Sequence, residues 1–387
     1  MREISTLAFE KAVEQCMEEQ VDFILIAGDF FNTTLPSLDL LKRVTAKLRE
    51  LKEKGIPVYV VPGSHDFSVS GKTMLDVLEN AALLSNVLKG EEVDGKLKLH
   101  FTVDKKTGAK ITGMLGRRGE LEKSYYLHLL REHLEQEGGY KIFLFHSAIE
   151  ELKPKELEAV ASCPLSMLPR NFSYYAGGHV HTVMQKHLQG YGCIAYPGPL
   201  FPCNFAELEK LGGGGYYLVE DGKGEWKPIQ IYNVLSLSMD AQHKTPKEVE
   251  EELSAAIKGK EFNRTIVTIR VAGCLREGKP SDINFKEIFQ HLYEHGAYFV
   301  MKNTSHLTTK EFEEIAVAQS TIEELEKKLI QEHLGQATLP GIPNQEQLIQ
   351  SMMQALSTES GEEESKAEFE ERMRTLVLEV LGMSRKA

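Results

Sequence analysis

Three apolar runs of strand length are too uniform to alternate between a buried and a solvated face. They are 23–27, 57–61 and 142–145. Such runs are typical of strands in a parallel sheet that is covered on both faces. Apolar residues at helical spacing fill 5–19 and 38–51, so a helix lies on either side of the first run in the chain. Strand, helix and strand in this order imply a right-handed parallel crossover, and the sequence therefore predicts an α/β fold.

The length and charge of the chain limit the kinds of protein it can be. With 387 residues it is longer than one typical domain, so we expect two or three folding units. Its 45 Lys and Arg residues against 57 Asp and Glu residues give a net charge of −12, which excludes a broadly basic surface for nucleic acid. An acidic chain acts on a polyanion only through a local basic patch, bound metal cations or a basic partner.

The sequence contains no feature that predicts a membrane or secreted protein. Its apolar runs fall far short of the roughly 20 residues that span a bilayer. Its first residues contain no apolar stretch typical of a signal peptide. The five cysteines are scattered, and none lies in a C-x-x-C pair. We therefore expect no membrane association, and reduced thiols in a cytoplasmic protein.

Changes in composition along the chain predict three parts. Residues 1–240 hold the three apolar runs and shorter, turn-separated strands of a mixed sheet. Residues 241–308 alternate helix and strand patterns, enough for a small α/β domain with its own core. Residues 309–387 contain two amphipathic helices, which either dock on the core of the chain or bind a partner helix. Their apolar stripes are Leu348, Ile349, Met352, Met353 and Leu356, and Phe369, Met373, Leu376, Val377, Val380 and Leu381.

Polar side chains suited to catalysis follow the strands at the point where each strand ends. In open α/β sheets ligands bind beyond the carboxyl ends of the strands, so these loops can converge on one site. A lone histidine in such a place is more often a packed or surface residue, but the repetition after several strands makes coincidence improbable. The side chains are Asp29, Ser64, His65, Asp66, His146, His179 and His181.

The chemistry of this set indicates a metal centre. Imidazole and carboxylate suit manganese, iron and zinc, and a shared carboxylate can bridge two ions. Two ions about 3.5–4 Å apart clamp the attacking and leaving oxygens of a phosphoryl transfer. Neighbouring glycines allow the backbone to approach ions and phosphate closely. In an extended segment, His179 and His181 at i and i+2 face the same side.

The order of these motifs resembles that of calcineurin-like metallophosphoesterases. The motifs are Gly28-Asp29-x-x-Asn32, Gly63-Ser64-His65-Asp66, Phe145-His146 and Gly178-His179-Val180-His181. Within that superfamily the chain most resembles the DNA double-strand-break repair nucleases of the SbcD type, in their archaeal form. Supporting stretches are 35–37, 70–73, 196–201 and 278–285, and the last of these resembles that family's capping domain. The resemblance implies a β-sandwich flanked by helices, with a small α/β capping domain and a helical C-terminal tail.

The resemblance also assigns metal ligands. Asp29 would bridge two manganese ions, for which magnesium is a possible substitute. His181 would bind the first ion, and His146 and His179 would bind the second. Ser64 stands where the family usually has Asn as a ligand of the second ion, and its shorter hydroxyl would bind through water.

Two further roles follow from the same motifs. His65 resembles the histidine that protonates the leaving 3′ oxygen, and Asp66 would orient it. Asn32 replaces an Asp or His often found at its position, and we interpret it as a neighbour of the ligands.

One family motif is missing from the sequence. The family opens with a strand that ends in Asp-x-His, and those two side chains complete the first metal site. Here the first helix pattern begins almost at Met1, so the resemblance predicts that the nuclease domain at 1–240 lacks its first strand. Either an upstream start was missed, or the chain is a shortened variant with an impaired first metal site.

The function implied is a two-metal, manganese-dependent DNA exonuclease and endonuclease that processes DNA ends in double-strand break repair. The resemblance implies an SMC-like coiled-coil ATPase as partner, bound by the tail, and a homodimer associated with the nucleoid. Two alternatives remain open. One is a catalytically impaired scaffold that binds DNA ends. The other is a phosphodiesterase of the same superfamily that acts on a small substrate. The block at 245–305, which resembles a capping domain, argues against this alternative because it would have no evident use on a small ester.

Overall fold

The computed structural model describes residues 2–67, 73–117, 122–154, 162–309, 348–349, 351–352 and 366–380. Backbone contacts divide the chain into two compact units. The first comprises Met1–Met239, Ser254–Arg270 and Phe285–Asn303, and the second comprises Asp240–Leu253, Val271–Asn284 and Thr304–Ala387. The division into parts at 240 and 308 stays a prediction.

Helices and strands alternate from Arg2 to Asn86, and runs of consecutive strands follow. The strands are β1 Ile24–Ala27, β2 Val58–Val61, β3 Ser85–Asn86, β4 Gly90–Val93, β5 Lys96–Leu99, β6 Thr102–Val103, β7 Lys110–Met114, β8 Lys141–His146, β9 Tyr174–Gly178, β10 Val183–Leu188, β11 Gly192–Pro197, β12 Gly214–Glu220, β13 Lys223–Ile229, β14 Asn233–Asp240, β15 Thr265–Leu275, β16 Ala297–Asn303 and β17 Leu307–Thr309. The α-helices are α1 Arg2–Glu18, α2 Leu38–Glu53, α3 Met74–Asn80, α4 Glu122–Leu127, α5 Glu132–Gln136, α6 Phe205–Leu211, α7 Pro246–Ile257, α8 Phe285–Glu294 and α9 Lys366–Val380.

Two sheets form the centre of the first unit. A parallel sheet has the order β1-β2-β3, and a mixed sheet has the order β10-β11-β9-β8-β7-β6. In the mixed sheet β7, β8, β9 and β11 run parallel, and the antiparallel strands β6 and β10 close its edges. Strands β1 and β2 pack on β8 and β9. The sheets form a sandwich flanked by helices, as the apolar runs and the motif order predicted.

Strand β8 shows why its apolar run is continuous. Ile142 and Leu144 contribute to the cluster between the two sheets, whereas Phe143 and Phe145 belong to a second cluster on the other face of the mixed sheet. Successive side chains of a strand point to opposite faces, so a strand covered on both sides is apolar at every position. All six residues of β8 are buried.

Strand β1 is less buried than its sequence predicted. Its four residues are half-buried, whereas those of β2 are fully buried. Ile24 and Ile26 pack against the helix-covered cluster and Leu25 against the cluster between the sheets, so both faces are in contact. Among the described strands β1 pairs only with β2, and its open edge accounts for the exposure.

Helix α2 follows its sequence pattern closely. Ser37 caps it, because its hydroxyl accepts a hydrogen bond of 3.3 Å from the Leu40 amide. Its apolar stripe buries Val44, Leu48 and Leu51 on the parallel sheet. Arg43 binds Glu10 and Glu3 of α1, which fixes the two helices side by side.

Strand β15 contains an irregularity that matters below. In the first unit it pairs in parallel with β16, and its register shifts between Thr265 and Ile266. Thr265 faces Ala297 and Ile266 faces Phe299, so Tyr298 is an extra residue in β16. In the second unit the end of β15 pairs with β17.

The predicted tail is only partly described. Helix α9 confirms the second amphipathic helix, and residues 348–349 and 351–352 are helical in the first. Met353, Leu356 and Leu381 of the two apolar stripes lie outside the described residues, as do positions 70–72 of a supporting stretch. No helix in the part of the chain that the structure describes is long and apolar enough to cross a membrane.

Candidate metal centre

The strand-end loops converge at one edge of the sandwich. Asp29 follows β1, His146 ends β8, and His179 follows β9. The backbone of His146 pairs in register with Gly178, so the third and fourth motifs are neighbours in the mixed sheet. The rings of His146 and His179 have centroids 5.1 Å apart, and His146 Nε2 lies 3.1 Å from Asp29 Oδ2, so three of the predicted side chains are neighbours.

Asp29 is held at the centre of this arrangement. It follows Gly28, and both residues have left-handed backbone angles, with φ of 51° and 86°. Its Oδ1 accepts a hydrogen bond of 2.8 Å from the His65 amide, and its Oδ2 lies 3.1 Å from His146 Nε2. Burial would raise the pKa of Asp29, but His146 and the His65 amide outweigh it and lower that pKa to about 2. The carboxylate is therefore ionised at neutral pH.

His146 directs a buried ring nitrogen toward that carboxylate. Its side chain is 2% exposed, and its Nδ1 lies 2.7 Å from the carbonyl oxygen of Ala27. A carbonyl only accepts, so Nδ1 carries the proton and Nε2 is left as an acceptor in the neutral ring. Nε2 has no aligned hydrogen-bond partner. Two acceptors 3.1 Å apart need a cation between them, either a proton on Nε2 or a metal ion.

The spacing of these two atoms suits a shared ion. Metal–oxygen and metal–nitrogen bonds of about 2.1 Å place adjacent ligand atoms roughly 3.0–3.4 Å apart. Asp29 Oδ2 and His146 Nε2 fall within this range. Among the described residues, however, no three His, Cys, Asp or Glu side chains surround one point in metal-binding geometry. The donor set therefore fits a divalent ion at one pair of ligands, with further imidazoles nearby.

A cage of glycines encloses the His146 ring. A Cβ added at Gly28 would lie 2.3 Å from Nδ1, one at Gly63 would lie 2.8 Å from Cε1, and one at Gly116 would lie 2.4 Å from Cδ2. Gly178 completes the cage, because its Cβ would lie 2.8 Å from Nδ1. The sequence predicted that glycines allow close approach to ions and phosphate. In the structure these glycines make room for the imidazole, and Gly116, which follows β7, was not foreseen.

Asp66 ties the first two loops together. Its carboxylate accepts hydrogen bonds from the amides of Gly63 at 2.9 Å, Phe31 at 3.1 Å and Phe30 at 3.3 Å. The side chain is buried, and burial raises its pKa, although the three amides oppose this. It thereby joins the loop after β1 to the loop after β2. Its predicted role in orienting His65 stays a prediction.

The remaining predicted side chains line the same loops. The Ser64 hydroxyl lies 3.4 Å from Asp29 Oδ2. His65 is more open, with its Nε2 4.0 Å from that oxygen and 41% of its side chain exposed. The ring of His179 lies edge to face with that of His146, with centroids 5.1 Å apart. Burial, and then the charge of His146, lower the pKa of His179 to about 4, so its ring is neutral at pH 7.

A glutamate that the sequence analysis did not name holds His181. Glu207 Oε1 accepts from His181 Nδ1 at 2.9 Å and from the Asn204 side chain at 2.6 Å, and its Oε2 accepts from the Cys203 amide at 2.8 Å. Asn204 also caps α6, because its side chain accepts from the Glu207 amide. Glu207 thus leaves Nε2 of His181 free for a ligand. The Asn-x-x-Glu spacing at the start of a helix could have identified it.

Comparison with known proteins agrees with this geometry. Residues 5–183 match the family model described as calcineurin-like phosphoesterase, and this span contains every side chain named as a ligand or acid. These residues form a calcineurin-like phosphoesterase domain, and the predicted fold class and resemblance are confirmed.

Individual relatives share only a low sequence identity with this chain. The DNA double-strand break repair protein Mre11 of Archaeoglobus fulgidus is 28% identical over 210 residues, which cover 53% of this chain and 46% of that protein. The Mre11 of Methanopyrus kandleri is 27% identical over 226 residues, 56% of this chain and 49% of that protein. The uncharacterized metallophosphoesterase YhaO of Bacillus subtilis is 24% identical over 58% of this chain and 52% of its own length. The chain spans about half the length of these relatives.

We expect Gly178→Ala to disturb the candidate site and Gly138→Ala to be neutral. A Cβ at 178 would lie 1.9 Å from the carbonyl oxygen of Ala27, which is backbone, whereas a Cβ at 138 meets no described atom within 4 Å. Neither glycine has a left-handed φ. Denaturant unfolding should show a loss of roughly 1–3 kcal/mol for Gly178→Ala. Gly138→Ala should stay within about 0.5 kcal/mol of the parent. Equal stabilities of the two variants would contradict the close packing around His146.

The low pKa of Asp29 predicts a specific sensitivity to acid. Because its folded-state pKa is depressed from 3.8 to about 2, its contribution to stability is complete above pH 4 and disappears as the pH falls through 2. The loss should amount to about 2 kcal/mol. Unfolding of the chelator-treated protein at pH 4 and pH 2, compared with Asp29→Asn, measures it. Parallel pH profiles for the two proteins would show that Asp29 has no such coupling.

Proposed function

We propose that the chain is a divalent-metal-dependent phosphodiesterase that cleaves DNA at its ends. The observation that carries the proposal is the buried His146 Nε2 beside the ionised Asp29, inside a domain of the calcineurin-like phosphoesterase family. The naming of the two archaeal relatives as DNA double-strand break repair proteins supports DNA as the substrate.

The proposed metal ligands are side chains of the strand-end loops. Asp29, His146 and His179 would hold one ion, with Ser64 close enough to contribute through water. Asp29 and His181 would contribute to a second ion, and Glu207 fixes the ring of His181 for that purpose. A bound divalent ion, which we take to be manganese with magnesium as a possible substitute, would neutralise phosphate charge and lower the pKa of a water.

The protein groups would position the reactants and move one proton. Asp29 stays ionised because of its low pKa and so holds a fixed negative charge at the centre. His65 lies beside Asp29 with 41% of its side chain exposed, and it is proposed to donate its proton to the leaving 3′ oxygen as general acid. Its backbone amide is hydrogen bonded to Asp29, which sets the distance between acid and metal ligands.

A second candidate function is a scaffold that binds DNA ends without cleaving them. It is favoured by the absence, among the described residues, of three ligand side chains around one point. The two candidates differ in one measurable respect. A nuclease releases nucleotides from DNA in the presence of manganese, and a scaffold binds DNA with no release.

The role of His65 is tested by comparing it with His179. Because His65 is proposed to be an acid and not a ligand, His65→Ala should retain manganese while DNA cleavage falls by roughly 10²–10⁴-fold. His179→Ala should lose both manganese and cleavage. Metal content is measured by calorimetric titration, and cleavage on a labelled duplex. Loss of manganese in His65→Ala would make that residue a ligand, and cleavage at the parent rate in both variants would disprove the site.

The tail is proposed to bind an SMC-like coiled-coil ATPase. Its support is helix α9, whose Phe369, Met373, Leu376 and Val377 remain half-exposed at helical spacing. Short amphipathic helices of this kind need a docking surface for their apolar face. The homodimer that the resemblance implies stays a prediction.

Deletion of residues 341–387 should separate the tail from catalysis. We expect metal binding and basal cleavage to be unchanged, while binding of the ATPase and any ATP-dependent stimulation disappear. Pull-down with the ATPase and a cleavage assay measure the two effects. If the helices complete the core of this chain instead, the truncated protein will melt at a lower temperature and aggregate without any partner.

A further inference from the structure

A β-bulge places two aromatic side chains on the surface of the first unit. Tyr298 is the extra residue of β16, between Ala297 and Phe299. A bulge re-aims side chains that would otherwise alternate between the two faces of a sheet. Tyr298 is 45% exposed and Phe299 is 40% exposed. Neighbouring large aromatics in contact with water on a sheet surface are typical of a binding surface.

Tyr298 is already stacked on a second tyrosine. Its ring lies 4.1 Å from that of Tyr232, with an angle of 22° between the planes. Tyr232 is anchored, because it packs against the cluster that contains Ile4 and Ala8 of α1. One face of Tyr298 is therefore covered by a fixed ring, and the residue remains open to solvent elsewhere. The stacking holds the Tyr298 ring in place, so this side chain would lose little conformational entropy when a ligand binds.

A fixed cation lies beside the tyrosine pair. Arg264 has a left-handed φ of 53°, and its Nη2 donates a hydrogen bond of 3.1 Å to the carbonyl of Ile231. Its guanidinium carbon lies 5.6 Å from the centre of the Tyr232 ring. Lys11 of α1 donates a hydrogen bond of 2.9 Å to the carbonyl of Gln230, two positions before Tyr232 in the chain. Glu3 is an acidic group that acts on Tyr232, and it pairs at 2.6 Å with Arg43, which it shares with Glu10.

The tyrosine pair is connected to the candidate metal centre through one strand and one helix. Arg264 precedes β15, and Arg270 of the same strand pairs with Glu209 of α6 at 3.0 Å. Helix α6 also carries Glu207, which holds His181. Thr265 and Arg270 are about 16 Å apart along an extended strand. The tyrosine pair and the candidate metal centre therefore belong to connected elements of the first unit, as a binding surface for one DNA end requires.

We propose that Tyr298, Tyr232 and Arg264 bind an unpaired nucleobase of a single-stranded DNA end. The inference rests on the proposed function and names the form of DNA that the site receives. Every base has an aromatic face that can stack on Tyr298, and Arg264 complements the adjacent phosphate. Bases inside a duplex are stacked on one another, so a frayed or single-stranded end is the form that fits. A protein partner is the competing occupant, since exposed tyrosine and arginine also occur at protein interfaces.

The experiment uses the full chain with chelator present, so that no cleavage occurs. The probe is an oligothymidylate of roughly 12 nucleotides that carries one 2-aminopurine, whose fluorescence falls when it stacks on an aromatic ring. The variants are Tyr298→Ala, Tyr298→Phe, which keeps the ring, and Tyr140→Ala. Tyr140 is an exposed tyrosine outside this surface and serves as the matched control.

We expect the parent protein to bind and quench this single strand and to bind a blunt duplex of equal length more weakly. Tyr298→Ala should weaken single-strand binding by roughly 5- to 100-fold and remove the quenching. Tyr298→Phe and Tyr140→Ala should behave as the parent. Thermal melting of each variant verifies that it is folded.

Several results would overturn the inference. They are the absence of single-strand binding by the parent, unchanged binding by a folded Tyr298→Ala, and equal loss in Tyr140→Ala. Failure of the proposed function is seen separately, because manganese-dependent hydrolysis of bis-p-nitrophenyl phosphate tests the metal centre without any base. Binding of a protein by the tyrosines, with no quenching of the oligonucleotide, would establish the competing occupant.

Discussion

One hydrogen bond links the two sheets at the point where the candidate site forms. His146 ends β8 of the mixed sheet, and its Nδ1 lies 2.7 Å from the carbonyl oxygen of Ala27, the last residue of β1. This contact sets the tautomer of the ring and directs Nε2 toward Asp29. The position of the carboxylate, and through it that of the His65 amide, depends on the same bond. The same contact therefore joins the two sheets and positions the side chains of the candidate metal centre.

The loops supply a second level of constraint. Asp66 holds three backbone amides from two loops and so limits how far Asp29 can move relative to Ser64 and His65. Glu207 performs the corresponding task for His181 through the capping residues of α6. Neither carboxylate needs to contact a substrate. Each one restricts a neighbour that does the chemistry, as buried partners of ligands often do.

Patterns that depend on neighbours in the chain were predictable from the sequence. The apolar run of β8, the cap and stripe of α2 and the loop positions of Asp29, His146 and His179 all have local causes. The half-burial of β1 depends on which strands pair with it, and no local pattern encodes that. Gly116 and Glu207 were missed because their roles arise from contacts with His146 and His181, 30 and 26 positions away in the chain. The bulge at Tyr298 likewise follows from the register between two strands.

The glycine cage has a consequence for how this site can vary. Gly28, Gly63 and Gly116 each approach the same imidazole within 2.8 Å of an added Cβ, so substitutions at these positions are coupled through one ring. Energies of changes that share a partner do not add. A smaller side chain at 146 would not release Gly116, because an added Cβ there would also lie 2.4 Å from the carbonyl oxygen of residue 146. At Gly63 the added Cβ would lie 2.2 Å from the Asp29 amide nitrogen. The backbone of three loops therefore restricts these positions to glycine even where the imidazole is replaced.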